Sequence, residues 1–299
     1  MTGQTAAAGR RQARDEPAER NDRKQREPGQ FLFSPWHLVL IPIAVAMLIP
    51  MVWMLVTSLQ TLNETRHFPP ELVPHTVHLK NYTDVLRQAP FARWFVNTVI
   101  VTVASVAGNL LFCSLAGYAF ARIKFFGREV VFVLILATLM IPFQVVMIPT
   151  FIIVKDLGMI NTLGALIVPN LAGAFGIFLL RQFFRTLPVE LEEAARIDGA
   201  SRLGVLFKII LPLSGPALAT LAVITFLWTW NDFLWPLITI SSANNMTLQL
   251  GLTTFQGTHQ TSTNLLMAAN VMSVLPVLIL FFLAQRFFIR GIASTGLKG

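Results

Sequence analysis

Long stretches without a charged residue alternate along the chain with short segments where the charges collect. Six stretches contain no Asp, Glu, Lys or Arg, and each exceeds the roughly 20 residues that a helix needs to cross a bilayer core. They cover residues 38–63, 94–121, 130–154, 157–180, 209–231 and 233–285. The middle of the last stretch, SSANNMTLQLGLTTFQGTHQTST, is polar and is expected to be a loop. The pattern predicts six membrane-spanning helices at about 36–59, 94–121, 130–151, 163–183, 212–236 and 265–285.

The composition agrees with a membrane protein. Of the 299 residues, 54% are hydrophobic and 13% are charged, about half the charged share of ordinary globular proteins. The charge-free stretches also lack the polar face that a surface helix of a soluble protein carries. The sequence therefore predicts an all-α membrane protein. Residues 1–34 are polar and charged with almost no large apolar side chain, and they are expected to form a disordered tail ahead of a transmembrane domain at 35–299.

The distribution of positive charge predicts the orientation in the membrane. Of the 23 Lys and Arg residues, 18 lie in the N-terminal tail, the second-to-third connection, the fourth-to-fifth connection or the C-terminal segment. All of these lie on one side of a six-span chain, and the other side holds only five. The positive-inside rule then predicts that both termini are cytoplasmic. This asymmetry also explains the net charge of +8, so no nucleic-acid partner is expected.

The connection between the fourth and fifth spans, residues 186–212, carries signals for two short helices. Pro188 suits a first helical turn, and the glutamates that follow it favour the positive end of the helix dipole. Gly199 suits the position that ends a helix, and Ser201 suits the N-cap of the next one. An apolar stripe at helical spacing is expected to anchor this second helix to the spans. It consists of Leu203, Leu206, Phe207 and Ile210.

Part of this connection, EAARIDGASRLGVLFKIILP at 193–212, resembles the coupling loop of permeases of ATP-binding-cassette (ABC) importers. The family pattern is Glu-Ala-Ala, three residues, Gly, nine residues, Ile, one residue and Leu-Pro. The chain matches it at Glu193, Ala194, Ala195, Gly199, Ile209, Leu211 and Pro212. The stretches NTVIVTVASVAGNLLFCSLAGYAFAR, MIPFQVVMIPTF, TWNDFLWPL and GLKG are similar to the sugar-uptake branch, in particular to the shorter permease of maltose-type or glycerol-3-phosphate-type transporters.

The resemblance implies a type I ABC importer permease fold in the bacterial inner membrane. It implies that the loop, with Asp198 included, docks on a separate ATPase, where Glu193 pairs with a basic group and Gly199 allows the sharp reversal. Small Ala194 and Ala195 would permit a close approach to that subunit.

The resemblance also implies partners. They are a second homologous permease, a dimer of cytoplasmic ATPase subunits, a periplasmic or lipid-anchored solute-binding protein, a sugar substrate and the lipid bilayer. Transport would proceed by alternating access. The sequence has no phosphate-binding Gly-x-x-x-x-Gly-Lys stretch. The chain is therefore expected to hold no cofactor and to be no enzyme itself, with ATP and Mg²⁺ bound by the ATPase.

A few polar residues in or near the spans are open to two interpretations. Asp232 lies among Trp228, Trp230 and Trp235, so it belongs either to an aromatic belt at the membrane interface or to a solute gate. The amides form hydrogen bonds between helices or line a wet path for a sugar. The candidates for a solute path are Asn109, Gln144, Asn231 and Asp232.

Two other classes of function fit less well. An ion-coupled secondary transporter usually carries carboxylates near the bilayer midplane, and the predicted spans have none there. A membrane-embedded enzyme needs a cluster of catalytic side chains, which the sequence does not offer. His75 and His78 lack further ligands, so no metal site is expected.

Overall fold

A computed structural model describes residues 36–69, 73–256 and 261–295. The expected disordered tail at 1–34 lies outside the described residues. Residues from Ile49 onward form one compact unit, to which the packing below refers, and residues up to Leu48 belong to a separate unit. Within the described part, regular structure is helical, apart from one antiparallel bridge between Gln256 and Thr261.

Several of the helices are joined by turns of only a few residues. In chain order they are α1 (His37–Ser58), α2 (Lys80–Gln88), α3 (Phe91–Arg122), α4 (Arg128–Ala137), α5 (Phe143–Asp156), α6 (Leu163–Ile167), α7 (Ala174–Thr186), α8 (Glu190–Ile197), α9 (Arg202–Val205), α10 (Leu211–Leu213), α11 (Gly215–Trp230), α12 (Leu234–Thr239), α13 (Leu248–Leu252) and α14 (Thr263–Thr295). A π-helical turn, Leu206–Ile210, joins α9 to α10. Short 3-10 turns, among them Val168–Asn170, join several of the others.

Four helical segments of the described chain are long and apolar enough to cross a membrane by themselves. They are His37–Ser58, Phe91–Arg122, Leu163–Thr186 and Thr263–Gln285. Two more segments qualify only as bent pairs, so the described chain has up to six spans. An all-α membrane fold follows from this, because lipid offers no partner for backbone polar groups outside helices or closed barrels.

The two bent pairs lie in the regions of the spans expected at 130–151 and 212–236. Arg128–Met140 and Phe143–Asp156 meet at 106°, and Arg202–Leu213 and Gly215–Trp230 meet at 83°. Proline explains both bends. Pro142 forces the residue before it, Ile141, into an extended conformation. Pro216 removes an amide donor just after the second bend, where Ser214 has left helical geometry.

Helix α3 is the centre of the compact unit. It packs against α7 and α11, and each of the three buried apolar clusters contains at least one of its residues. Trp94 belongs to the cluster at one end and Cys113 to the cluster near the 186–212 segment, while Val101 contacts a third cluster that holds Trp235. Its 32 residues extend about 48 Å, which is longer than a hydrocarbon core.

The polar stretch before α14 is more than the loop that its composition suggests. It contains α13, whose Leu248 is fully buried against Trp94 of α3. Side chains of α3 bind its backbone: Trp94 Nε1 donates to the carbonyl of Ala243 at 2.7 Å, and Thr98 Oγ1 accepts from the amide of Leu248 at 2.8 Å. The stretch is polar because it turns back on the end of α3, and its few apolar residues complete that end of the core.

Close packing of α3 on α7 generates a test of the fold. A Cβ on Gly117 would lie 3.1 Å from the backbone nitrogen of Arg181 and 3.1 Å from Cβ of Leu180. Gly117→Val should therefore push the helices apart and lower the free energy of unfolding by about 1–3 kcal/mol. Thermal unfolding of the detergent-purified protein measures this. Gly215→Val is the control, because nothing lies within 4 Å of that position. Equal unfolding midpoints for both variants would contradict the packing.

Candidate functional site

The 186–212 segment forms a compact hairpin of two short helices beside the ends of α3 and α7. Helix α8 ends before Gly199, whose φ of +85° lies in the left-handed region that glycine adopts without strain. The hydroxyl of Ser201 then accepts a hydrogen bond from the amide of Gly204 at 3.1 Å and caps α9. The chain thus reverses its direction within a few residues.

The apolar stripe expected to anchor the second helix is only half right. Leu206 and Ile210 are fully buried, but Leu203 is 59% exposed and Phe207 is 47% exposed. For Phe207 the reason is the π-helical turn at Leu206–Ile210, which has more residues per turn than an α-helix and changes the side-chain directions within it, whereas Leu203 precedes this turn. Val205, which the expected stripe did not include, is fully buried as well.

The residues that match the family pattern divide between an outer and an inner surface of the segment. Glu193, Ala194, Gly199 and Pro212 are exposed, and so is Asp198, which lies in the loop outside the pattern. Ala195 is partly buried against the cluster that contains Phe184 and Leu206, so it packs inward and does not face outward with Ala194. Ile209 and Leu211 are half-buried. Helix α8 therefore presents one small residue and one carboxylate of the motif to the outside.

A buried ion pair holds α8 against α3 and α7. Arg122, in the last turn of α3, has its Nε 2.6 Å from Oε1 of Glu192, and their side chains are 14% and 8% exposed. Its Nη2 donates to the carbonyls of Phe184 and Leu187, at 2.8 and 2.6 Å. The hydroxyl of Tyr118, one turn earlier on α3, donates to Oε2 of Glu192 at 3.1 Å.

A second arginine makes the reciprocal contacts. Arg181 of α7 is buried, and its Nε donates to the carbonyl of Phe120 on α3 at 3.2 Å. Its Nη2 binds both oxygens of Glu129, at 3.0 and 2.7 Å, and its guanidinium lies 3.9 Å from the ring centre of Phe132. Because Glu129 and Phe132 belong to α4, this arginine joins the ends of three helices.

Sequence reasoning missed these arginines and Glu192. Glu192 stands beside Glu193 in an acidic run, and composition alone cannot tell an inward carboxylate from an outward one. The available signal was spacing. Glu192 and the partly buried Ala195 are three residues apart and therefore share one face of α8.

Farther from this segment, an open cavity of about 560 Å³ lies between three interrupted spans. This volume falls within the usual range for small-molecule sites. Its wall includes the start of α5 just after the Pro142 bend, the 3-10 turn Val168–Asn170, and the junction of α11 with α12. The lining residues are Phe143, Val146, Thr150, Pro169, Asn170, Trp228, Thr229, Asp232 and Trp235.

Of the four solute-path candidates, Asp232 lines this cavity. Its Oδ1 accepts the amide of Trp235 at 3.3 Å at the start of α12. Asn109 lies behind the wall and donates to the carbonyl of Asn170 at 3.3 Å. Asn231 is exposed and bonds to the carbonyl of Leu227 in its own helix, and Gln144 is exposed beside Phe143. Two of the four are thus connected with the cavity, one in its wall and one behind it.

Comparison with known proteins identifies relatives of this chain. A permease protein of an arabinooligosaccharides transport system, from Halalkalibacterium halodurans, is 41% identical over 227 residues, covering 76% of this chain and 81% of the relative. A permease protein of an sn-glycerol-3-phosphate transport system, from Pectobacterium atrosepticum, is 36% identical over 275 residues, covering 89% of this chain and 97% of the relative.

The fold is also similar to solved structures. A chain in the crystal structure of a bacterial ABC transporter involved in import of the acidic polysaccharide alginate superposes with a TM-score of 0.75 and 26% identity, over 86% of this chain and 99% of that chain. These matches confirm the resemblance to sugar-uptake permeases and the type I importer permease fold, and with them a place in the inner membrane. A family described as the inner membrane component of binding-protein-dependent transport systems matches residues 110–294. The chain belongs to that family.

Proposed function

We propose that this chain is one of two homologous permease subunits of an ATP-driven importer that carries a carbohydrate or a related polyhydroxylated solute by alternating access. Its relatives and the similar structure are transporters of arabinooligosaccharides, glycerol 3-phosphate and alginate, which all carry at least two hydroxyl groups. The observation that carries the proposal is the helix hairpin at 186–212, whose outer surface is exposed while its inner surface is fixed to the spans.

The charge of the 186–212 end supports its assignment to the cytoplasm. Positive residues collect there at the ends of α3, α7, α8 and α9 and at the start of α4, as the positive-inside rule requires of cytoplasmic connections. With six spans, both termini are then cytoplasmic as well, and the solute-binding protein delivers its cargo from the opposite side.

The exposed side of α8 supports docking on an ATPase dimer. Ile197 is 86% exposed at the end of this short helix, and Leu191 is 42% exposed. Apolar side chains beside an outward carboxylate, Glu193, form a surface that a protein partner with an apolar cleft and a basic group would cover. ATP and Mg²⁺ would be bound by that partner, so this chain supplies movement and carries out no chemistry.

The interrupted spans around the cavity support a solute path there. Irregular backbone at membrane depth is tolerated where it is buried in protein or lines a polar cavity, and transporters often bind substrate at such breaks. Asp232 and Thr150 offer oxygen atoms to solute hydroxyls, and Trp228, which is 63% exposed, offers a flat apolar face. Asn109 would support the wall, while Asn231 and Gln144 lie beside it.

ATP hydrolysis by the reconstituted four-subunit complex tests the coupling role. Glu193→Arg reverses the charge on the outer surface of α8, and it should lower stimulation by solute-loaded binding protein at least about tenfold or prevent assembly. Gly199→Val should have the same effect, because its φ of +85° strains a β-branched residue and reshapes the hairpin.

Gly158→Val is the matched control for the glycine. Gly158 also has positive φ, at +69°, and also has nothing within 4 Å of its Cβ position, but it lies outside the 186–212 segment. The control should assemble and respond to binding protein like the parent. Parent-like stimulation in Glu193→Arg and Gly199→Val would refute the assignment of the coupling surface.

Uptake measurements test the cavity. Asp232→Asn removes the charge that would strengthen hydrogen bonds from solute hydroxyls, so the solute concentration for half-maximal uptake should rise about tenfold. Asn231→Ala changes the neighbouring exposed residue and should leave that concentration unchanged. A parent-like value in Asp232→Asn would exclude this carboxylate from the solute path.

A further inference from the structure

The attachment of α8 to the spans depends mainly on the polar contacts of one side chain, that of Glu192. Glu192 is the one buried residue of this eight-residue helix, and its apolar neighbour Ala195 is only partly buried. Leu191 and Ile197 point outward. Without a fixed partner for Glu192, α8 could therefore change its orientation relative to α3 and α7.

Arg122 gives Glu192 that fixed partner and joins three helices at one guanidinium. The group lies at the end of α3, pairs with Glu192 of α8, and donates to two carbonyls at the end of α7. A guanidinium is planar and rigid, so these contacts fix the mutual orientation of the elements they join. Low exposure of both side chains keeps water from replacing the contacts.

On this basis, and resting on the proposed function, we propose that Arg122 and Glu192 are positioning residues that make α8, α3 and α7 move as one rigid body. A displacement of α8 by the ATPase then reaches the solute cavity without being absorbed at the segment. A buried ion pair is in itself weak evidence for stability, since apolar residues of similar volume often stabilise as much. The hydrogen bonds around the pair, from Arg122 to the carbonyls of Phe184 and Leu187 and from Tyr118 to Glu192, are directional, and a mechanical connection needs such contacts.

The route from this connection to the cavity consists of contacts already described. Arg181 of α7 donates to the carbonyl of Phe120 on α3, and Arg122 of α3 donates to the carbonyl of Phe184 on α7. Each of the two helices thus contributes one arginine to their contact. Toward the cavity, Asn109 of α3 donates to the carbonyl of Asn170, and Asn170 lines the cavity just before α7 begins. A movement of the α3–α7 pair therefore moves one wall of the cavity.

Solute uptake per ATP hydrolysed, measured on the complete reconstituted complex with solute-loaded binding protein, tests the proposal. Glu192→Gln keeps the shape of the side chain and removes the charge, and Arg122→Gln removes the guanidinium. Both should still copurify with the ATPase, because the outer surface of α8 is unchanged. Uptake per ATP should fall at least about fivefold, the lower end of measured coupling effects. Glu190→Gln, the same change at an exposed position of the same helix, should match the parent.

A second variant keeps the test decisive if a charge change prevents folding. Tyr118→Phe removes only the hydroxyl that donates to Glu192, and it should lower uptake per ATP less than Glu192→Gln while unfolding at nearly the parent temperature. Parent-like uptake per ATP in all three variants would overturn the proposal, as would loss of the ATPase from Tyr118→Phe. Failure of the proposed function is distinguishable, because the parent complex itself would then show no ATP-dependent uptake.

Discussion

The buried pair of Arg122 and Glu192 is the interaction on which the functional organisation of this protein depends. Removing one of two charges that have little access to water leaves the other uncompensated, and here the pairing requires the ends of α3, α7 and α8 to meet at one place. The outer surface of α8 is consequently free for a partner, while its inner surface cannot shift without breaking the pair. Anchoring and the proposed docking thus use opposite faces of one short helix.

The fixed attachment of α8 to α3 and α7 also bears on the role of the interrupted spans. Proline bends at Ile141–Pro142 and near Ser214, together with the turn at Val168–Asn170, interrupt spans that a simple membrane anchor would keep straight. Two of these interruptions surround the cavity that contains Asp232, and the third adjoins the 186–212 hairpin. Rigid helices such as α3 and α7 connect the two regions, so the bends are places where the bundle can change shape while the connection stays intact.

Much of this architecture could be predicted from the sequence because the bilayer imposes a simple rule on apolar length. Proline, glycine and serine likewise marked the helix hairpin, since each has a strong local preference. The inward direction of Glu192 and the outward direction of Glu193 could not be predicted, because adjacent glutamates differ only in how the helix is rotated against its neighbours. The π-helical turn at Leu206–Ile210 exposed Phe207 for the same reason. The sequence singled out Asp232 because carboxylates are rare beside the apolar stretches. The cavity around it could not be predicted, because it depends on bends in three separate segments.

Distance measurements between spin labels test the rigid connection most directly. Labels at Ala92→Cys and Glu190→Cys, in a Cys113→Ser background, report on α8 relative to the far end of α3, about 45 Å of helix from Arg122. Both labelled positions are exposed. In the assembled complex the account predicts the same distance distribution without nucleotide and with ATP bound, and a broader one after Glu192→Gln. A shift of several ångströms between the two nucleotide states of the parent would contradict it, because α8 would then move independently of the spans.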